Sequence, residues 1–124
     1  MYRMISVENT TRGTTVAATC RVAGSMRERI FGLHLLPQLQ EGEGLLLRGS
    51  TTIDTTSMRY PIDLVFMDRS ARVTRVVPDM RPWRMVLSGG GGSDCLELPA
   101  GAAAASGTEA GDQLVLSDVP ISAA

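Results

Sequence analysis

Four side chains in this 124-residue chain pair a reactive or recognising group with a setting that could use it: Arg59, Asp63, Trp83 and Glu97. Arg59 and Asp63 lie in Met58-Arg59-Tyr60-Pro61-Ile62-Asp63-Leu64-Val65-Phe66-Met67-Asp68, a largely apolar segment in which they are the two residues read as fit for polar chemistry. A guanidinium matches the planar geometry of a carboxylate or phosphate, so Arg59 could bind an anion while Asp63 orients it. The structural alternative has Asp63 hold a backbone turn, or pair with Arg59 at the mouth of a barrel. Glu97 stands between Leu96 and Leu98, which face the other side of its strand, so alternation predicts an exposed carboxylate. Enclosed by the fold, it would need a partner such as Arg81 or Arg84, and a raised pKa would fit it for general acid or base work. Trp83 is the single Trp and belongs to Arg81-Pro82-Trp83-Arg84, with Arg69, Arg72 and Arg75 upstream. Such a stretch could stack on and neutralise single-stranded nucleic acid. One Trp is a thin platform, though, and the net charge of -1 opposes it. Trp83 is expected to cap the core.

Other chemistries find no support. His34 is the one His and has no Cys or acidic cluster beside it, a poor metal site. No GxSxG, P-loop or GxGxxG motif occurs, and the glycines at 89–92 lack the Lys-Ser/Thr that completes a phosphate loop. No catalytic residue, metal or cofactor is assigned. Cys20 and Cys95 have no CxxC spacing; two buried thiols are expected, with a disulfide the alternative. No secretory signal or long apolar run is seen, which points to a cytoplasmic protein with no membrane partner.

The positioning elements follow from composition and spacing. Hydrophobic residues form 44 % of the chain and aromatics 4 %, so the core must be aliphatic, with methionines filling gaps. All twelve basic residues are Arg, six of them between Arg59 and Arg84. Beyond Arg84 only acidic charges follow, and the acidic end could pack near this Arg-rich middle. Strands are predicted at residues 2–7, 14–22, 45–47, 51–56, 64–67, 72–77, 84–87, 95–98 and 113–116, with 64–67 and 72–77 forming a hairpin. The run Leu64–Met67, bounded by Asp63 and Asp68, suits a strand covered on both faces. Ser25 with Glu28 makes a capping box for a helix over about 25–35, ended before Pro37. Ala102–Ala105 reads as a single helical turn, Pro78 to Trp83 as irregular, and Ser88–Ser93 as a flexible loop by composition. The result is a mainly β (α+β) fold: a small antiparallel β-barrel or sandwich with one helix of about ten residues. A single domain is expected over 1–117, with a flexible tail over 118–124.

"MRYPIDLVFMD", followed by "RVTRVV" and "RPWR", resembles the domain of unknown function 192 family. In the same order, Arg29-Ile30-Phe31-Gly32-Leu33 looks like its early R-x-x-G-L helix, and Gly42-Glu43-Gly44-Leu45-Leu46 its G-x-G-[LM]-L strand. Leu96-Glu97-Leu98-Pro99-Ala100-Gly101 and Gly111-Asp112 resemble its closing L-E-L-P-A-G and G-D. The resemblance spans roughly residues 20–117. It implies a compact β-barrel-like fold with one helix and no established activity. Where some relatives carry His before the M-[RK] motif, this chain has Asp54, which weakens a metal or acid–base role there.

Together these readings favour a non-enzymatic small-barrel module that binds a protein partner or a small anionic ligand through Arg59, Asp63, Trp83 and Glu97. The rival is a hydrolase-like enzyme using Asp63 and Glu97 as a carboxylate pair, which requires the two groups to converge in one cleft. Single-stranded nucleic-acid binding is the second rival.

Overall fold

The computed structural model describes residues 3–24, 38–56 and 58–119. The helix expected over 25–35 lies outside the described residues, as do residues 120–124 of the expected tail. Nine strands and one short helix are described: β1 Arg3–Asn9, β2 Thr14–Ala23, β3 Glu43–Leu47, β4 Thr52–Asp54, β5 Ile62–Met67, β6 Val73–Met80, β7 Met85–Leu87, β8 Asp94–Pro99, α1 Ala102–Ser106 and β9 Leu114–Asp118. The fold is mainly β, as expected. Seven strands form one curled sheet in the order β6-β5-β8-β3-β2-β1-β9, and β4 pairs with β7 separately.

One pairing departs from the antiparallel expectation. β2 and β3 run parallel, with Cys20 opposite Gly44 and Val22 opposite Leu46. Residues 24–42 connect them, long enough for the crossover that a parallel pair needs.

The central strands explain the apolar runs in the sequence. All six residues of β5 are buried, as are Asp94 to Leu98 of β8. Val65, Met67, Leu96 and Leu98 point to one face, where they pack with Ile5, Val7, Val16, Leu46 and Ala103. Ile62, Leu64, Phe66 and Cys95 point to the other, with Leu45, Leu47, Ile53 and Met80. The sheet therefore separates two cores. Cys20 lies in the first and Cys95 in the second, both as free buried thiols. Burial pushes the Cys20 thiol up to about 12 and Cys95 well above its usual value, which keeps both protonated and unreactive.

Gly44 shows how tightly the layers meet. A Cβ there would lie 3.2 Å from Leu98 Cδ2 and 3.3 Å from Ala17 Cβ.

Two local expectations are corrected. β6 continues through Pro78 to Met80 rather than ending at Val77. It is an edge strand, where a residue without an N–H is tolerated. The Ser88–Ser93 segment is pinned: Ser88 N donates to Thr51 O at 2.7 Å and Ser93 N to Met67 O at 2.8 Å. The acidic end does pack near the Arg-rich middle, since β8 pairs with β5 and Arg72 Nη1 donates to Gly111 O at 2.8 Å, but its carboxylates pair with arginines elsewhere. Asp118 pairs with Arg3, Glu109 and Asp112 with Arg12, and Asp94 with Arg48. Strand order decides this, because β9 pairs with β1.

Candidate functional site

Asp63 is fully buried and serves the backbone. Its Oδ1 accepts Asp79 N at 2.8 Å. Its Oδ2 accepts Gly101 N at 3.1 Å and Ala103 N at 2.9 Å. The β5–β6 register slips between Ile62 and Leu64, and Asp79 takes a left-handed φ of 51°. Asp63 thus fastens a β-bulge to the start of α1, whose flanking Gly101 needs its φ of 95°. The turn-holding expectation describes this residue. The ion pair with Arg59 does not form: Arg59 is exposed, and the Asp63 carboxylate is occupied.

Glu97 departs from the exposure that alternation predicted. It pairs with Leu45 on one side and Leu64 on the other, and is only 5 % exposed. The strand alternates, but both faces are covered, so alternation no longer separates inside from outside. Neither Arg81 nor Arg84 reaches it; Arg81 pairs with Asp79, and Arg84 donates to Trp83 O. Its Oε2 is buried without a hydrogen-bond partner. Burial alone pushes the Glu97 carboxyl up to about 8. The Tyr60 hydroxyl is also buried, with the Leu39 backbone beside it. Burial raises the Tyr60 phenol, and the Glu97 charge adds to that. Tyr60 escaped the sequence reading because its neighbours looked like a strand entry.

Asp63 and Glu97 do not converge. Asp63 stands opposite Leu98, and Leu64 opposite Glu97. Adjacent residues of a strand point to opposite faces. The carboxylates therefore lie on opposite sides of the sheet, and the paired-carboxylate enzyme has no geometric basis.

Trp83 does not cap the core: it is 67 % exposed. Its φ is 64°, a left-handed conformation that a bulky residue rarely adopts. Buried Thr55 enforces this geometry. Trp83 N donates to Thr55 O at 3.1 Å, and Arg84 N to the Thr55 hydroxyl at 2.9 Å. That hydroxyl reaches Arg81 O at 2.8 Å and Arg84 O at 3.1 Å, while Thr55 N donates to Arg84 O at 2.8 Å. Met58 N also donates to Thr55 O, which ties the stretch before Arg59 to the same post. Beyond the turn, Met85 and Leu87 are 67 % and 62 % exposed, while Val86 between them packs on the second core. Alternation within β7 puts Met85 and Leu87 on its exposed side, two and four residues after Trp83 in the chain. Arg75, Arg81 and Arg84 are all exposed around it, and Arg75 Nη1 donates to Leu87 O at 2.6 Å. Thr55 carried no sequence signal beyond sitting in a Thr-rich stretch.

Thr55→Val keeps the shape and removes the hydroxyl. It should lower the unfolding free energy by about 1–3 kcal/mol, because the Arg84 amide and Arg81 carbonyl lose their partner. The Trp83 fluorescence anisotropy should fall as well. An unchanged denaturation midpoint and anisotropy would count against Thr55 as the post.

A cavity of about 550 Å³ opens elsewhere, lined by Thr15, Val16, Ala18, Glu41, Gly101 and Ala105 among others, none of them a predicted site residue. Among the described residues, no group of three or more His, Cys, Asp or Glu could hold a metal, and no helix is long and apolar enough to cross a membrane.

A family model for DUF192, described as Uncharacterized ACR, matches residues 7–116. No curated protein matches the chain significantly. A solved structure of a protein of unknown function from Novosphingobium aromaticivorans DSM 12444 aligns with TM-score 0.77 at 21 % identity, over 92 % of this chain and 84 % of that one. A second, from Sinorhizobium meliloti 1021 and provisionally described as a transcription regulator, aligns with TM-score 0.80 at 21 % identity, over 94 % of each chain. At that identity the likeness concerns the fold.

Proposed function

The chain belongs to the DUF192 family, which is defined without an assigned activity, and from this starting point we propose that it is a non-enzymatic module that binds a protein partner through the Trp83–Met85–Leu87 line. One observation carries the reading. A single Trp is held outward on a strained backbone by a buried residue whose polar groups are all committed to that task. Strain of this kind costs about 1–3 kcal/mol and persists where the surroundings impose it, often at binding sites. Large exposed apolar side chains in a row mark interaction surfaces, and Trp flanked by Arg is the composition of binding hot spots. The exposed arginines, Arg59 included, make an acidic rim on the partner the complementary choice. A partner segment with apolar side chains and flanking Asp or Glu fits best. The free buried thiols support a reducing, cytoplasmic setting.

The test places the photo-crosslinking residue p-benzoylphenylalanine at position 83 and, as a control, at exposed Ala104, in the source cells. Cross-links specific to position 83 are expected, competed by excess wild-type protein and not by Trp83→Ala. The same pattern from both positions would sink the reading. Strongly salt-dependent quenching of Trp83 fluorescence by oligothymidylate would move it to single-stranded nucleic acid. The fold should not need the indole. Trp83→Gly, which suits the left-handed φ, should leave stability unchanged or raise it by up to about 1 kcal/mol. A loss larger than that in thermal unfolding would show a structural role instead.

A further inference from the structure

β7 presents an open backbone edge beside the exposed Met85 and Leu87 side chains. Ser88 N donates to Thr51 O and Thr55 N to Arg84 O, and between them Ile53 stands opposite Val86. Hydrogen-bonded pairs of an antiparallel ladder recur at every second residue. Ile53 and Val86 therefore exchange their bonds, and the N–H and C=O groups of Met85 and Leu87 point away from β4. Among the described residues, the bond that reaches this outer edge is the one from Arg75 Nη1 to Leu87 O. Met85 N, Met85 O and Leu87 N are left without a partner. Edge strands are ordinarily protected. On β6 the protection is Pro78 and two register shifts. β7 has neither; its exposed side chains are apolar, and one arginine side chain closes its edge. A sheet of two strands is also marginal by itself, and β4 and β7 form no ladder with the seven-stranded sheet.

Building on the protein-binding reading, we propose that the partner supplies an extended segment that adds to the outer edge of β7 as a third strand. Main-chain bonds give such additions their affinity, and alternate side chains give them specificity. Three residues offer few bonds, so side chains must contribute. Residues of the segment on the Met85–Leu87 side are apolar and cover those two side chains. Arg84 precedes β7 and Arg75 reaches its last residue, both exposed, so the segment carries Asp or Glu beside its apolar residues. A carboxylate draws the Arg75 guanidinium off Leu87 O, because the charge-assisted bond is the stronger. That carbonyl then becomes free to accept an N–H of the added strand.

The probe is the peptide acetyl-DEVTITVDE-amide, apolar at alternate positions and acidic at both ends. Fluorescence-anisotropy titration of its fluorescein derivative with the whole chain should show saturable binding, competed by unlabelled peptide. Methylating one peptide nitrogen at a time should weaken binding about tenfold at every second residue and little at those between, since alternate N–H groups of an added strand face its neighbour. Amide exchange at Met85 and Leu87 should slow when the peptide binds. Leu87→Pro removes an outward N–H and should lose binding while thermal unfolding stays cooperative. The methylated peptides are read on the wild-type chain, so the outcome does not depend on how that variant folds. No binding, equal weakening at all positions, or unchanged exchange at Met85 and Leu87 would each overturn strand addition. So would protection at Val115 and Ser117, which would put the peptide on β9. Protection of β7 that grows with protein concentration in the absence of peptide would make a second copy the occupant and overturn it too. Cross-links specific to position 83 without the alternating pattern would reject the added strand and leave the protein-binding surface standing; their absence would reject that surface itself.

Discussion

Asp63→Ala is expected to lower the free energy of unfolding by about 3–5 kcal/mol in urea denaturation, since three backbone hydrogen bonds to one carboxylate are lost together. The carboxylate receives three backbone N–H groups from two segments: the β6 bulge at Asp79, and the start of α1 at Gly101 and Ala103. Without it, three amides lose their partner, the buried Ala103 N–H most expensively, at about 1–3 kcal/mol for a buried donor before relaxation. Asp63→Asn should fall between wild type and Ala, since one oxygen survives while the new NH₂ faces N–H donors. A loss below about 1 kcal/mol for the Ala variant would mean that the bulge and α1 hold themselves.

Glu97→Gln is expected to remove a fall of stability with rising pH. The folded carboxyl titrates near 8, against 4.5 as its usual value. Between these values the folded chain holds a proton that the unfolded chain has released. Stability is therefore greatest below about 4.5, declines as pH rises to about 8, and levels off above. The steepest slope is about 1.4 kcal/mol per pH unit. Asp112 acts in another window. Hydrogen bonds from Arg12 and Asn9 lower its carboxyl to about 2, so its contribution is present above 3.8 and is lost only in stronger acid. Urea unfolding at pH 5.5 and 7.5 isolates Glu97. The wild type should lose about 2–3 kcal/mol across that interval and Glu97→Gln less than about 0.5 kcal/mol. An equal decline in both proteins would assign the pH dependence elsewhere.

The fold was largely legible because its signals are local. The run Leu64–Met67 implied a strand buried on both faces, and the β5–β6 hairpin, the one-turn helix and the buried thiols followed from spacing and composition. The parallel β2–β3 pair was not legible, since nothing in either strand records its partner's direction. The site was less legible for the same reason. The strand containing Glu97 looked like a half-exposed one, and only the pairing of β8 between β3 and β5, with a core on each face, reveals the burial. Trp83 was expected inside because large aromatics usually are. A positive φ and the bonds from Thr55 reverse that, and neither is written in Arg-Pro-Trp-Arg. The motifs behind the family resemblance meet in space as framework: Asp63 of the central segment bonds to Gly101 of the closing one, and Asp112 is held by Asn9 and Arg12. They specify architecture more than chemistry, which is why recognising them gave a fold and no reaction.

The pairing of β1 with β9 sets a schedule for synthesis. Asn9 aligns with Leu114 and Ile5 with Asp118, so β1 leaves the ribosome about a hundred residues before this neighbour and finds it only when β9 has emerged. Until then β1 can pair with β2, while its other edge offers free backbone groups to any extended chain nearby. Its apolar residues Ile5 and Val7 lack the Leu114 side of their core. Closure must be nearly the last event of folding, and the nascent chain is most open to aggregation or chaperone capture in the interval before it.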